Sequence, residues 1–279
     1  MSDELIAVTP DWAKRAYVDD AKYKSMYEAS VKDPVKFWGE HGKRIDWIKP
    51  YSPGAVRDVD YNGQVRIRWF HDGVLNVSAN CIDRHLAKRG DQTAIIWEGD
   101  DPKDSKAITY AELLKEVSRF ANVLKAKGVK KGDRVTIYMP MIPEACYAML
   151  ACARIGAVHS VVFGGFAANS LASRIEDAKP VLIVSADAGS RGGKAIPYKP
   201  LLDEAIVLSS AKPARVLLVD PEFSAVIARA LQAVEPRHRP LVIDVLDSAA
   251  PEAPRLGTLI NEYNKLILRR VALWTGIGA

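Results

Sequence analysis

Three short runs of apolar, largely β-branched residues alternate with helix-length amphipathic segments in the middle of this chain. Residues 135–139 (VTIYM) form the first run, stopped by Pro140. Residues 158–163 (VHSVVF) form the second, ended by Gly164 and Gly165, and residues 181–185 (VLIVS) form the third. A helix is predicted between the first two runs. It opens on Pro143, in the first-turn position that proline tolerates, and closes at Gly156. A second helix is predicted over 169–178. Strand–helix–strand–helix–strand predicts a parallel sheet with right-handed crossovers. Runs this continuously apolar predict a sheet covered on both faces. Such sheets bind ligands beyond the carboxyl ends of their strands. Two segments fall there: Phe163-Gly164-Gly165-Phe166, and the loop over 186–194.

The pattern continues on both sides. Upstream, 76–88 predicts one helix with Val77, Cys81, Ile82 and Leu86 along a side, 93–97 a strand, and 98–106 a polar loop. Thr109 and Glu112 stand three residues apart, as in a capping box, where each side chain satisfies the other's free backbone N–H. Leu113, Leu114, Val117, Phe120, Ala121 and Leu124 then recur at helical spacing, and Gly128 supplies the stop. Downstream, helices over 200–208 and 224–234 alternate with strands over 215–219 and 241–245. The last apolar stretch, 266–274, has no evident partner. The first 53 residues or so are rich in aromatics: Tyr17, Tyr23, Tyr27, Phe37, Trp38 and Trp47. Short helices over 23–31 and 35–39 are broken by Asp33-Pro34, and 65–70 alternates like a strand. These aromatics are expected to pack the segment onto a larger body rather than to bind a ligand.

The fold class is therefore α/β: a layered, mostly parallel sheet flanked by helices, preceded by an irregular helical segment. Three regions are expected, over 1–79, 80–220 and 221–279.

Composition narrows the function classes. With 48% hydrophobic and 26% charged residues among 279, the chain has the composition of a soluble globular protein. Its net charge of +5 is spread among acidic neighbours, and no aromatic-plus-basic stripe occurs, so nucleic acid is not an expected partner. A site for a small anion suits this charge. The three cysteines, Cys81, Cys146 and Cys152, form no CxxC and read as buried thiols in a reducing cytosol. No secretory signal pattern opens the sequence, and its longest apolar run, 145–153, is too short to span a bilayer. The expected location is cytoplasmic, without a membrane partner.

Gly189-Ser190-Arg191-Gly192-Gly193-Lys194 sets two cations and three glycines at a strand end. Glycines let backbone N–H groups approach an anion, Arg191 offers a planar fork, and Lys194 a point charge. Spacing alone leaves two readings open: a solvated basic loop, or a phosphate site. Gly164-Gly165 reads equally as a tight strand-to-helix turn, and it is no GxGxxG fingerprint. His159 reads as a core or near-site histidine, since no second ligand stands at metal-binding spacing. No GKS/T phosphate loop, HExxH or GxSxG occurs. No residue is assigned a catalytic or metal-ligating role.

The stretches LNVSANCIDRHLAKRGDQTAIIWEGDD, ITYAELLKEVSRFANVLKAKGVKKGDRV, IYMPMIPEACYAMLACARIGAVHSVVFGGF and SRGGKAIPYK resemble AMP-forming acetyl-CoA synthetases, of the adenylate-forming ligase superfamily. The resemblance runs from about residue 23 to about residue 220. It implies the N-terminal part of the adenylate-forming ligase fold. It also implies a two-step acetate–CoA ligase chemistry: acetate and ATP give acetyl-AMP and pyrophosphate, and the CoA thiol then displaces AMP. CoA, ATP and Mg2+ are the small molecules implied. By the same resemblance, Phe163, Gly164, Gly165, Arg191, Gly192, Gly193, Lys194 and Ile196 would contact CoA. The arginine–x–glycine–arginine/lysine loop meets the phosphates of its nucleotide end. Many members carry arginine at the position of Lys194, so the charge is kept here but not the fork.

The family's Ser/Thr/Gly-rich phosphate loop, of the form YTSGSTGxPKG, is not found, and beyond residue 220 the resemblance passes to other acyl-CoA synthetases. The expectation is a CoA-side portion of the ligase, inactive by itself and able to self-associate through exposed apolar surface. The alternative is a non-catalytic CoA-binding or interaction module built on the same fold.

Overall fold

The structure, a computed structural model, describes residues 7–220 and 243–247. The chain divides into two compact units, residues 1–76 and 77–279.

The first unit carries three helices, α1 (Pro10–Arg15), α2 (Asp20–Lys32) and α3 (Pro34–His41), then an antiparallel pair, β1 (Arg57–Asp60) and β2 (Arg66–Trp69). Asp33 divides α2 from α3: its carboxylate accepts the Lys36 N–H at 3.0 Å, and Pro34 opens the new helix. Several of the aromatics pack on one another inside this unit. Tyr51 lies 4.7 Å from Phe70 and 5.0 Å from Trp47, ring centre to ring centre. Tyr17, Tyr23 and Tyr27 are exposed.

The second unit begins with a correction. The single helix expected over 76–88 is three pieces: α4 (Val77–Cys81), a 3-10 turn at Asp83–His85, and α5 (Leu86–Arg89). Ile82 leaves helical geometry to reach full burial, and Asp83 turns to a bidentate bond from Arg154, both contacts at 2.8 Å. The Arg154 guanidinium holds the Asp83 carboxyl below its ordinary range. The polar loop expected over 98–106 also hides a strand. β3 (Thr93–Glu98) pairs antiparallel with β4 (Ser105–Thr109), joined by a tight turn.

The capping box is present: Glu112 N–H donates to Thr109 Oγ1 at 3.2 Å, and Thr109 N–H to Glu112 Oε2 at 2.8 Å. It starts α6 (Tyr110–Ala126), whose Leu113, Val117, Phe120, Ala121 and Leu124 are buried.

A five-stranded parallel sheet follows: β5 (Arg134–Tyr138), β6 (Val158–Val162), β7 (Leu182–Ala186), β10 (Arg215–Asp220) and β11 (Ile243–Asp247), in the order β11-β10-β7-β5-β6. Two further strands, β8 (Ala188–Arg191) and β9 (Lys194–Pro197), belong to the candidate site. Strand alternation sorts the core into two layers. Val135, Ile137, Leu182, Val184, Leu217 and Val219 join α6 and α7 (Pro143–Ile155) on one face. Tyr138, Ile183, Val216 and Leu218 join α8 (Ala168–Ala178) and α9 (Tyr198–Leu208) on the other. The chain steps from β5 outward to β6, then back across β5 to β7. Crossovers of one hand must therefore place α7 and α8 on opposite faces.

Burial on both faces holds for β5, β7 and β10 but not for β6. At the sheet edge, Val158 and Val161 are each 54% exposed, and His159 is exposed rather than held in the core. The thiols also differ from expectation: Cys152 is buried, Cys146 half-buried and Cys81 exposed. The helix expected over 224–234, the segment 266–274 and the start of the strand over 241–245 lie outside the described residues.

Glu176 on α8 closes the second layer. Its carboxylate accepts from the Ser209 hydroxyl at 2.9 Å, from the Ser210 N–H and hydroxyl, and from the Ala211 N–H at 3.1 Å. The Ser210 hydroxyl foremost, with these other donors, lowers its pKa to about 2 from 4.5. A carboxyl depressed in the folded state stabilises fully above its unfolded value and loses that contribution as pH falls toward the folded value. Glu176→Gln should therefore flatten the fall in stability between pH 4.5 and about 2. Urea unfolding from about pH 6 to about pH 3 checks this, a parallel fall in both proteins being the contrary result.

A candidate phosphate site at the carboxyl end of the sheet

The helices after β5 and β7 leave toward opposite faces, so a crevice opens between the carboxyl ends of these strands. Tyr138, the last residue of β5, organises it. Its side chain is fully buried. Its hydroxyl donates to the Phe166 carbonyl at 3.0 Å, which fixes the turn after β6. Its own carbonyl accepts the buried Ser185 hydroxyl at 2.7 Å, which ties β5 to β7. Its ring lies 5.0 Å from that of Tyr198 at the start of α9. Burial first, then the neighbouring Tyr198, pushes the Tyr138 phenol up to about 12, so it stays a proton donor at neutral pH. Burial also raises Tyr198, against an opposing pull from the Arg191 charge.

Two glycines make room for Tyr198. A Cβ at Gly164 would stand 2.9 Å from Cε1 and Cζ of its ring and still closer to its hydroxyl. A Cβ at Gly189 would stand 2.7 Å from Pro140 Cβ and 3.0 Å from Tyr198 Cε2. Gly164 is thus required by close approach and not by turn geometry. Gly165 differs: the nearest atoms to its Cβ would be those of the Phe163 ring, a largely exposed side chain that packs edge-on against Phe166 and has solvent to move into.

The segment expected as a loop over 186–194 is a β-hairpin. β8 (Ala188–Arg191) pairs antiparallel with β9 (Lys194–Pro197), with Ser190 opposite Ala195 and Arg191 opposite Lys194. Gly192 and Gly193 form the turn at φ of 58° and 72°. Positive φ at both central residues is the geometry whose twist suits a two-residue hairpin, and glycine adopts it without strain. Ile196 packs half-buried against the Tyr138–Tyr198 layer and anchors the hairpin's base.

The hairpin register brings two cations directly opposite each other at an exposed tip. Like charges so placed repel, and among the described residues neither Arg191 nor Lys194 forms an ion pair. Nothing lies within 4 Å of where a Cβ would stand on Gly192 or Gly193. An arginine fork, an ammonium and an open glycine turn are donors of the kind a phosphate takes.

Phe163 and Gly165 lie exposed on the turn after β6, and the Tyr138–Phe166 bond holds this turn beside Tyr198. The eight residues singled out in the sequence thus lie in two segments that meet at Tyr198. Tyr138, Ser185, Gly189, Tyr198 and Asp100 were not singled out. Asp100, in the turn between β3 and β4, accepts the Gly193 N–H at 3.1 Å and the Ser190 hydroxyl at 2.5 Å. The two consecutive glycines at 192–193 are a signal that could have revealed the hairpin, whereas no local signal marks a contact spanning about ninety residues. Among the described residues, no three His, Cys, Asp or Glu side chains gather as a metal site.

Gly164→Ala should lower stability by about 1–3 kcal/mol through overpacking against Tyr198. Gly165→Ala should stay within about 0.5 kcal/mol of the parent. Urea denaturation of both variants checks this pair, and equal losses would deny Gly164 its special role.

The family model for AMP-binding enzymes matches residues 82–252, and that for the acetyl-coenzyme A synthetase N-terminus matches residues 23–81. Acetyl-coenzyme A synthetase of Methylocella silvestris is 65% identical over 207 residues, which cover 74% of this chain and 32% of that protein. The protein of the same name from Mesorhizobium japonicum is 61% identical over 203 residues, 73% of this chain and 31% of its own. That from Xanthobacter autotrophicus is 57% identical over 220 residues, 78% of this chain and 34% of its own. The chain thus spans about a third of the length of the curated relatives it matches. A parallel sheet with helices on both faces, the hairpin it carries and these two matches lead to one conclusion: the chain belongs to the AMP-binding enzyme family and shares its N-terminal region with acetyl-coenzyme A synthetases.

Proposed function

We propose that this chain is the CoA-side portion of an AMP-forming acetate–CoA ligase, and that the tip of the β8–β9 hairpin takes a phosphate of CoA. The observation that carries the proposal is the register that sets Arg191 opposite Lys194 across a Gly192-Gly193 turn. Two cations side by side favour an anion, and a phosphate monoester supplies two negative charges in one group. Phe163, Gly164 and Gly165 would flank CoA beside Tyr198, and Ile196 anchors the hairpin's base. In the complete reaction, acetate and ATP with Mg2+ form acetyl-AMP and pyrophosphate, and CoA then displaces AMP. This span is assigned no residue for the ATP, Mg2+ or acetate chemistry.

The three-region division over 1–79, 80–220 and 221–279 is kept in the proposal, as is self-association through exposed apolar surface. No helix among the described residues is long and apolar enough to cross a membrane. A cytoplasmic location belongs to the proposal, as does the absence of a nucleic-acid partner.

Arg191→Ala should weaken CoA binding by about ten- to a hundredfold, the range for losing a charge-assisted hydrogen bond. Lys194→Ala should cost less, because its ammonium is better hydrated and makes no fork. Calorimetric titration with CoA and with dephospho-CoA tests both, the latter being less sensitive to either change. Equal CoA affinity in the parent and Arg191→Ala, with the fold intact by circular dichroism, would return the hairpin to solvated surface. A protein partner without CoA binding would instead favour an interaction module.

Residues 1–279 by themselves should not form acetyl-CoA, since stabilising the charge of a reacting ATP needs a phosphate cradle that this stretch does not carry. Steady acetate-dependent release of pyrophosphate from the purified chain would contradict this.

A further inference from the structure

The hairpin tip already holds an anion supplied by the chain itself. Asp100 lies in the turn between β3 and β4, and its Oδ2 accepts the Gly193 N–H and the Ser190 hydroxyl. Its own turn is braced: the Gly99 N–H donates to the Asp104 carbonyl at 2.7 Å, and the Lys103 N–H to Asp101 Oδ1 at 2.9 Å. The carboxylate is thus presented to the glycine turn by a second hairpin.

The Gly193 N–H is given to Asp100, while no atom lies within 4 Å of where a Cβ would stand on Gly192 or Gly193, so the turn has room for a phosphate that would compete for this donor. Arg191 and Lys194 stand beside it, and among the described residues neither forms an ion pair. A carboxylate carries one negative charge, and a phosphate monoester two with three acceptor oxygens. The incoming group can therefore replace Asp100 on the turn and also engage both cations.

We propose that Asp100 is a resident anion which a phosphate monoester must displace, so that it lowers the affinity of the hairpin for every anion and leaves only dianionic phosphates able to compete. This rests on the reading of the hairpin as a phosphate site. It adds that the free protein is self-occupied there, and that binding releases the β3–β4 turn from the hairpin. Asp100 is a selectivity-setting residue in this account, with no part in bond making.

The test compares the parent with Asp100→Asn, which keeps the shape and one acceptor oxygen but removes the charge. The probes are inorganic phosphate, acetate, CoA and dephospho-CoA, read by calorimetry and by the amide resonance of Gly193. Asp100→Asn should bind phosphate and CoA about three- to tenfold more tightly, the size expected from removing one exposed like charge a few ångströms away. Dephospho-CoA should change by less than about twofold. The Gly193 resonance should move with phosphate in both proteins and saturate at lower concentration in the variant. Acetate should move it only in the variant. Asp100→Ala, which empties the turn, should bind phosphate at least as tightly as Asp100→Asn.

Unchanged or weaker phosphate affinity in Asp100→Asn, with the β3–β4 and β8–β9 resonances otherwise retained, overturns the inference and makes Asp100 a brace for the hairpin. A Gly193 resonance that ignores phosphate in both proteins also overturns it. Tighter phosphate binding in the variant without preference for CoA over dephospho-CoA upholds the resident anion. That last result would refute only the assignment of the site to CoA.

Discussion

The contact between Tyr138 and Tyr198 is the constraint on which the site depends. Tyr138 ends the central strand β5, and Tyr198 begins the helix that leaves the hairpin, so their packing joins the sheet to the element carrying the cations. The contact exists because Gly164 and Gly189 have no side chains where Tyr198 must lie. Each tyrosine then serves a second structure: the Tyr138 hydroxyl holds the turn after β6, and the Tyr198 backbone N–H donates to the Asp187 carbonyl at 3.0 Å. A side chain on either glycine would displace the aromatic ring and, with it, the hairpin's base. The exposed tip is thus positioned by packing in the layer beneath it.

From that base the hairpin carries charge outward. Strand pairing fixes Arg191 opposite Lys194. The acidic group that reaches the tip, Asp100, arrives from a different hairpin and bonds the turn and Ser190, and among the described residues the two cations form no ion pair. Repulsion between exposed cations is modest in water and weakens with salt. In the proposed phosphate site its effect would be selectivity, a bias toward groups with two charges that the paired strands and the glycine turn would confine to one place.

Much of the fold was legible because it follows from periodicity. The runs over 135–139, 158–163 and 181–185 fall in one parallel sheet as expected, and Thr109 with Glu112 caps α6 as their spacing implies. Where the pattern misled, longer-range contacts had intervened. The helix expected over 76–88 breaks at Ile82 and Asp83, where Ile82 is fully buried in the core and Asp83 is bonded by Arg154. His159 belongs to an apolar run, yet it lies on the edge strand, and edge position is set by strand order rather than composition. The site was half legible. Arg191, Gly192, Gly193 and Lys194 were identifiable from residue type, but not their cross-strand register, and the resemblance supplied Phe163, Gly164 and Gly165. Asp100 and Tyr138 left no local trace, since each acts through a partner distant in sequence.

The claim that the hairpin tip takes a phosphate monoester is tested most directly by phosphorus NMR of CoA titrated with the purified chain. CoA carries a 3′-phosphate monoester and a pyrophosphate diester, whose resonances are separate. The monoester resonance should shift and saturate with added protein while the diester pair moves less. A shift confined to the diester pair, or none in any of the three, would contradict it.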